Sequence, residues 1–268
     1  METKMRIRFS KTDTLRFIGH LDFLRVFQQT IRRSGLPIAY SQGFNPHQII
    51  SFALPLPLGM ESINDYADIT LTAQVSSAEI IERLNAAAPR GLYISAAYLP
   101  QGATAAAATM VADYAFNIEM PQSPLERGIA APALRKSLIG VATLQESVKK
   151  ILDAETLVIP KKTKSGIKNT DIRPDILAIE FCTENALLLR LSAGSGRFLN
   201  PLLVAEQLLA TPEKPSSFAS QSKKRFRPPG RAARCLAAAP PSGGVPCTSN
   251  FSRLELYQTD GKGGIIPL

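Results

Sequence analysis

The chain is poor in the residues that metal and redox chemistry require. Its three cysteines, Cys182, Cys235 and Cys247, are scattered, with no CxxC or CxxxCxxC spacing. No zinc or iron–sulfur site is visible, and neither metal nor cofactor is expected. Few, unpaired thiols suit a reducing compartment. No apolar run reaches the length of a membrane span. The opening METKMRIRFSK puts charges where a signal peptide needs an apolar core. The expectation is a cytoplasmic protein without a membrane partner. P-loop, GxGxxG, GxSxG and HExxH motifs are all missing, and Gly194-Ser195-Gly196 is too short to count. Histidine is scarce too: His20 and His47 are the only two, and both fall between Leu15 and Ser62.

What is present supports a packed core. Apolar residues make up 45% of 268 positions, enough for one large domain or two small ones. The formal charge of +9 invites a nucleic-acid partner. Its distribution weakens that argument. Residues 211–234 hold seven Lys and Arg against Glu213 alone, a net of +6. The remainder is +3, with local clusters in the N-terminal arm through Arg33 and from Lys161 to Arg173.

Periodicity organises the rest. Met5, Ile7 and Phe9 alternate with Arg6 and Arg8, as in a strand with one buried face. Arg6 and Arg8 then point to the other face, which is open or covered by something else. Leu15–Ile18 reads as extended. A helix follows from about His20 to Ser34, with Leu21, Leu24, Phe27 and Ile31 as its apolar stripe and Gly35 as its stop. Further strands are expected at 49–54, 66–71 and 92–99, with a helix at 78–87 capped by Ser76 or Ser77. That order, strand–helix–strand–strand–helix–strand, is the ferredoxin-like plan. After an alanine-rich linker it repeats: strand 114–120, helix 144–152, hairpin 176–191 and a helix from Asn200 or Pro201 to Leu209. The expected fold is α+β, two tandem ferredoxin-like units with antiparallel sheets. The boundaries are 1–100, linker 101–110, unit 111–210, a basic Pro/Ala-rich disordered segment 211–250, and a C-terminal strand within 251–268.

The chemistry-bearing candidates are few. His20 and His47 fit an acid/base or phosphate-contacting pair, since histidine titrates near neutral pH; equally, they fit a capping and a loop histidine bonded to the backbone. Tyr40, Gln42, Phe44 and Asn45 beside His47 can stack on a base and bond its edge, or simply order their own loop. Asp22 and Arg25, three apart on a helix, form a surface pair, although Arg25 is retained with Arg6 and Arg8 as a binding candidate. Lys161, Lys162, Lys164, Lys168 and Arg173 can grip phosphates or form a solvated basic hairpin. Asp171 and Arg173 interrupt the lysines and point to a defined local structure there.

Three blocks, FIGHLD, LPIAYSQGFNPHQIISFALPLPLGMES and KNTDIRPDI, resemble the signatures of a bacterial family of radical-SAM-associated domains of unknown function. The resemblance covers residues 5–100 and 111–210. It implies a chain found alone or fused behind a cobalamin-binding-type radical SAM protein, near ribonuclease and ribosomal-protein genes. It therefore implies an accessory role in modifying or handling RNA, with a radical SAM protein and RNA as partners. It brings no catalytic residue, and this chain lacks the three-cysteine cluster of a radical SAM enzyme. After Ala210 the chain departs from the family until Phe251. A local reading-frame disturbance and a genuine basic insertion are the two origins considered, and the +6 is set aside as an argument for RNA. The leading expectation is a non-catalytic RNA-binding or substrate-presenting partner of a radical SAM enzyme. The alternatives are a metal-independent ribonuclease using His20 and His47, and a protein–protein scaffold exposing an apolar patch around Phe44 and Phe52.

Overall fold

Strand β1 (Thr3–Lys11) buries Met5, Ile7 and Phe9 against helix α1 (His20–Ser34). In this computed structural model the described residues are 2–117, 141–163, 166–183, 186–194, 196–209, 251–259 and 265–268. The segment 211–250 therefore lies outside them. Helix α1 ends where Gly35 takes a left-handed conformation, φ 64°, and donates its N–H to Arg32 O. Its buried face is Phe23, Phe27, Thr30 and Ile31. Leu21 of the expected stripe is exposed and Leu24 is only half-buried. The aromatic residues decide the helix's rotation. Phe23 and Phe27, one turn apart, join Phe9 and Phe52 in a cluster with ring centroids 5.3–6.2 Å apart. Leu15–Ile18, expected as extended, is largely a 3-10 turn over Asp13–Phe17. Asp13 sits at positive φ, with its N–H donated to Glu61, a conformation that aspartate tolerates better than most residues.

The first half continues through β2 (Ile50–Phe52), β3 (Glu61–Leu71), α2 (Ser77–Ala87) and β4 (Leu92–Tyr98). Ser76 caps α2 by accepting from the Glu79 N–H. Next come the short helix α3 (Ala105–Ala108), β5 (Val111–Asn117), α4 (Val141–Asp153) and the hairpin β6 (Val158–Thr163)–β7 (Gly166–Asp171). Strands β8 (Ile176–Thr183) and β9 (Ala186–Ser192), helix α5 (Pro201–Leu208), β10 (Phe251–Thr259) and β11 (Ile265–Pro267) complete the described elements. Leu144, Val148 and Ile151 form the buried stripe of α4. Asn200 caps α5 by accepting from the Leu202 N–H.

The fold is mixed α+β, with five α-helices and one large, mostly antiparallel sheet among the described residues. The sheet runs β4-β1-β3-β10-β5-β9-β8, with β2 also on β3 and β11 on β10. Strand β10 lies parallel to β3 and antiparallel to β5. The C-terminal strand is thus an interior member that joins the two halves, rather than a peripheral addition. No helix of the described residues is long and apolar enough to cross a membrane.

In the segment 101–110, expected as a linker, residues 101–104 are exposed, while Ala105 of the short helix α3 and Thr109 are buried. Arg6 pairs with Asp68 on the face opposite Ile7, and its guanidinium also donates to Ala103 O at 2.9 Å. Asp68 in turn accepts the Ala105 N–H at 2.7 Å. This carboxylate therefore holds a buried cation and the start of α3 together. Removing one member of such a pair strands the other's charge, at a cost of about 3–5 kcal/mol. Asp68→Ala is expected to lose stability on that scale by urea unfolding. The double variant Arg6→Met/Asp68→Leu, which removes both charges, should recover a large part of the loss.

Candidate recognition site

Two segments flanking residues 40–48 form a ribbon on the β3 edge. The Ala39 N–H donates to Thr70 O, the Ile49 N–H to Ala39 O, and the Thr70 N–H to Ile49 O. Tyr40 and Gln48 pair beyond the edge. Ser41 and His47 close the loop's neck. The Ser41 N–H donates to His47 O at 2.8 Å, the His47 N–H to Ser41 Oγ at 3.1 Å, and Ser41 Oγ lies 2.8 Å from His47 Nδ1. Gly43, at φ 122°, lets the chain reverse within the loop. Phe44 is fully exposed, flanked by exposed Gln42, Asn45 and Pro46, while Tyr40 is 46% exposed. A neck fixed by hydrogen bonds presents an aromatic ring that the described residues leave uncovered. Gln48, paired with Tyr40, is buried, and among the described residues neither polar atom of its amide finds a partner.

The two histidines are not joined by their contacts. His47 bonds Ser41, whereas the His20 ring meets the edge of Phe52 at 5.5 Å. Phe52 itself packs among Phe9, Phe23 and Phe27. The arginine candidates divide. Arg6 is buried in its ion pair, and of the two possibilities for its face the covered one holds there, with Ala103 and Ala105 over the pair. Arg8 donates to Ser95 Oγ at 3.1 Å, and Arg25 pairs with Asp22 on the exposed face of α1.

The basic candidates of the second half belong to the two-stranded hairpin β6–β7, which is separate from the main sheet. Its register sets Lys161 opposite Lys168 and Lys162 opposite Ile167. Lys168 and Ile167 are exposed, and Lys164 lies outside the described residues. Arg173 is a structural residue. Its guanidinium donates to Leu152 O, Ala154 O and Ile176 O at 2.9–3.1 Å, closing the end of α4. Asp171 accepts the N–H groups of Leu157 and Arg173. The Asp-Ile-Arg interruption in the lysine run thus anchors the hairpin's base.

A third group went unnoticed in the sequence. Lys11, Ser62, Arg253 and Tyr114 are directly paired in succession across β1, β3, β10 and β5. Arg253 is fully buried, pairs with Asp65 and donates to Leu54 O at 3.0 Å. Lys11 is buried, donates to Ile18 O at 3.1 Å and lies over the Phe23 ring. Arg16 and Glu61 form a further ion pair at the start of β3. The signal was faint but present: Lys11 and Asp65 occupy inward positions of otherwise apolar strands. Among the described residues no three His, Cys, Asp or Glu are grouped to hold a metal ion.

Burial lowers the Lys11 ammonium from 10.5 to about 8; Asp65 opposes the shift and Arg253 adds to it. Between those values the unfolded chain still carries a proton that the folded chain has released. Stability should therefore rise with pH from about 8 towards 10.5 on this group's account, and below that window the buried charge is a standing cost. The urea midpoint of the wild type, followed across this range, is expected to gain on that of Lys11→Met. A constant gap between the two would refute the coupling.

Residues 4–201 match the family described as uncharacterized proteins conserved in bacteria, DUF2344. No curated protein matches the chain. The chain is also similar to an unknown protein from Galdieria sulphuraria of known crystal structure, at 13% identity and a TM-score of 0.24, over 78% of this chain and 90% of that one. The family match spans most of the sequence and takes in the exposed loop, the hairpin and three of the four strands that carry the buried row; this chain belongs to the DUF2344 family of bacterial proteins.

Proposed function

We propose that the chain is a non-catalytic recognition module that binds RNA and presents it to a radical SAM enzyme. The observation that carries this reading is the state of the Tyr40–His47 loop. Its neck is fixed by Ser41 and His47, and its aromatic tip, Phe44, is fully exposed. An ordered, uncovered ring supports stacking on an unpaired base, with Gln42 and Asn45 beside it to bond the base edge. The β6–β7 hairpin supports the same reading through charge. Lys168 is exposed on it, within a run that in sequence also holds Lys161, Lys162 and Lys164, and a phosphate backbone is the electrostatic complement of such a run. The enzyme partner rests on the resemblance of the three sequence blocks.

Sheet order supports a finer reading of the fold. The first half runs β1-α1-β2-β3-α2-β4, with spatial order β4-β1-β3-β2. With the β6–β7 hairpin treated as an insertion, the second half runs β5-α4-β8-β9-α5-β10, in order β10-β5-β9-β8. Both orders match the one expected of a ferredoxin-like unit, which supports reading each half as such a unit. In this proposal β10 is the fourth strand of the second unit.

The ribonuclease alternative needs His20 and His47 at one scissile phosphate. Their contacts, Phe52 for one and Ser41 for the other, give it no support. The scaffold alternative needs Phe52 beside Phe44 at the surface, but Phe52 packs into the aromatic cluster.

Filter binding of the full chain to single-stranded RNA tests the proposal. Phe44→Ala is expected to weaken binding by about 1–3 kcal/mol, the scale of one stacked base. Lys168→Ala should flatten the salt dependence by about one phosphate contact. The RNA should remain uncut. If neither RNA nor a radical SAM protein from extract is retained, the proposal fails.

A further inference from the structure

The buried row across the centre of the sheet carries more positive charge and more donors than its neighbours answer. Lys11, Ser62, Arg253 and Tyr114 sit at successive directly paired positions, which places their side chains on one face. Lys11 is 1% exposed and the other three are 0% exposed. Asp65 is the carboxylate bonded to Arg253, and it acts electrostatically on Lys11 as well. The adjacent carboxylates are engaged elsewhere: Glu61 with Arg16 and the Asp13 N–H, and Glu255 with Tyr66 and Asn64. Both acceptors of Arg253, Asp65 and Leu54 O, are reached through Nη2. Apart from the contact between the Tyr114 hydroxyl and the guanidinium itself, its Nε and Nη1, that hydroxyl and the Ser62 Oγ have no hydrogen-bond partner among the described residues.

A guanidinium offers five N–H donors and no acceptor, and each hydroxyl can turn to donate. Buried donors without acceptors are expensive, and more so when they are charged. A water would answer the hydrogen bonds and leave the surplus charge. An anion answers both. We propose that this row is an internal binding site for a small inorganic anion, held by Arg253, by the hydroxyls of Tyr114 and Ser62, and by the charge of Lys11. The ligand is small because the residues that hold it are closed to solvent. That closure also separates this site from the exposed surfaces proposed to meet RNA.

Thermal unfolding of the full chain provides the test. Sodium chloride and inorganic phosphate are titrated separately, each against sodium gluconate at matched ionic strength. One of the two is expected to raise Tm by about 5 °C or more over a hundredfold concentration range above its Kd, since a ligand that binds only the folded state stabilises it by mass action. Which salt acts tells chloride from phosphate. Tyr114→Phe and Ser62→Ala, conservative in shape, should fold and lose much of that increment, and Arg253→Met should lose all of it if it folds. A Tm that follows ionic strength alone overturns the proposal. So does an anion-specific increment that survives in both hydroxyl variants, which would place the anion elsewhere.

Discussion

The structure depends on one strand held between two others. Strand β10 closes the gap between β3 and β5, and it does so with few parallel ladder contacts on the β3 side, Ser252 to Glu61 and Arg253 to Ser62. Side chains supply the rest. Arg253 pairs with Asp65 and donates to Leu54 O, Asn64 donates to Leu254 O, and the Tyr66 hydroxyl donates to Glu255. On the other flank Asp113 accepts from the Tyr257 hydroxyl and from both Nε and Nη2 of Arg190. These bonds fix register where the parallel ladder is short, and their directionality selects one alignment in a way that apolar burial does not.

The same constraint explains why polar residues run through the middle of the sheet. To either side, the two apolar clusters carry the ordinary work of burial: residues of β1, α1 and α2 in one, residues of β5, α4, β9 and α5 in the other. Between them lie Lys11, Arg16, Glu61, Ser62, Asp65 and Arg253. Several belong to, or bond to, the sequence blocks 17–22 and 36–62. Ile18 O receives Lys11, Leu54 O receives Arg253, and the Gly59 N–H donates to Arg16 O. Those blocks therefore wrap a buried ionic centre while also sending the Tyr40–His47 loop outward. Their unusual composition serves two ends at once.

Much of the fold was legible because it rests on local periodicity. The alternation of Met5, Ile7 and Phe9, the cap at Ser76, the stop at Gly35 and the start of α5 at Asn200 all follow from short-range physics. What was illegible is tertiary. Of the α1 stripe expected from spacing, Phe27 and Ile31 are buried while Leu21 and Leu24 are not, because spacing alone cannot say that Phe23 would join Phe27 against Phe9 and Phe52. The partner of Arg6 is not legible from its surroundings in sequence, since Asp68 lies 62 residues away. The alanine-rich stretch read as a linker because nothing in its composition reveals that Asp68 would anchor Ala105. At the candidate site, the exposed loop was legible from its odd residue pairs. The buried row was not, because its four members come from four strands. The setting of Arg173 in the lysine run announces a defined structure, and the structure shows that guanidinium closing a helix end.

The position of β10 bears on how the chain reaches this structure. Every other strand of the main sheet except the short β11 is synthesised by residue 192, yet the interior of the sheet is completed only when residues 251–259 emerge. Until then the facing edges of β3 and β5 lack this partner, and an open edge is a template for any strand that meets it. Closing it requires a contact between residues about 190 positions apart, Arg253 with Ser62 and Asp65; such distant pairings are late and slow. The newborn chain thus passes through an interval with two complementary open edges, when a neighbouring copy's β10 can fill the gap as well as its own. Exchange of that strand between chains is the characteristic hazard of this topology.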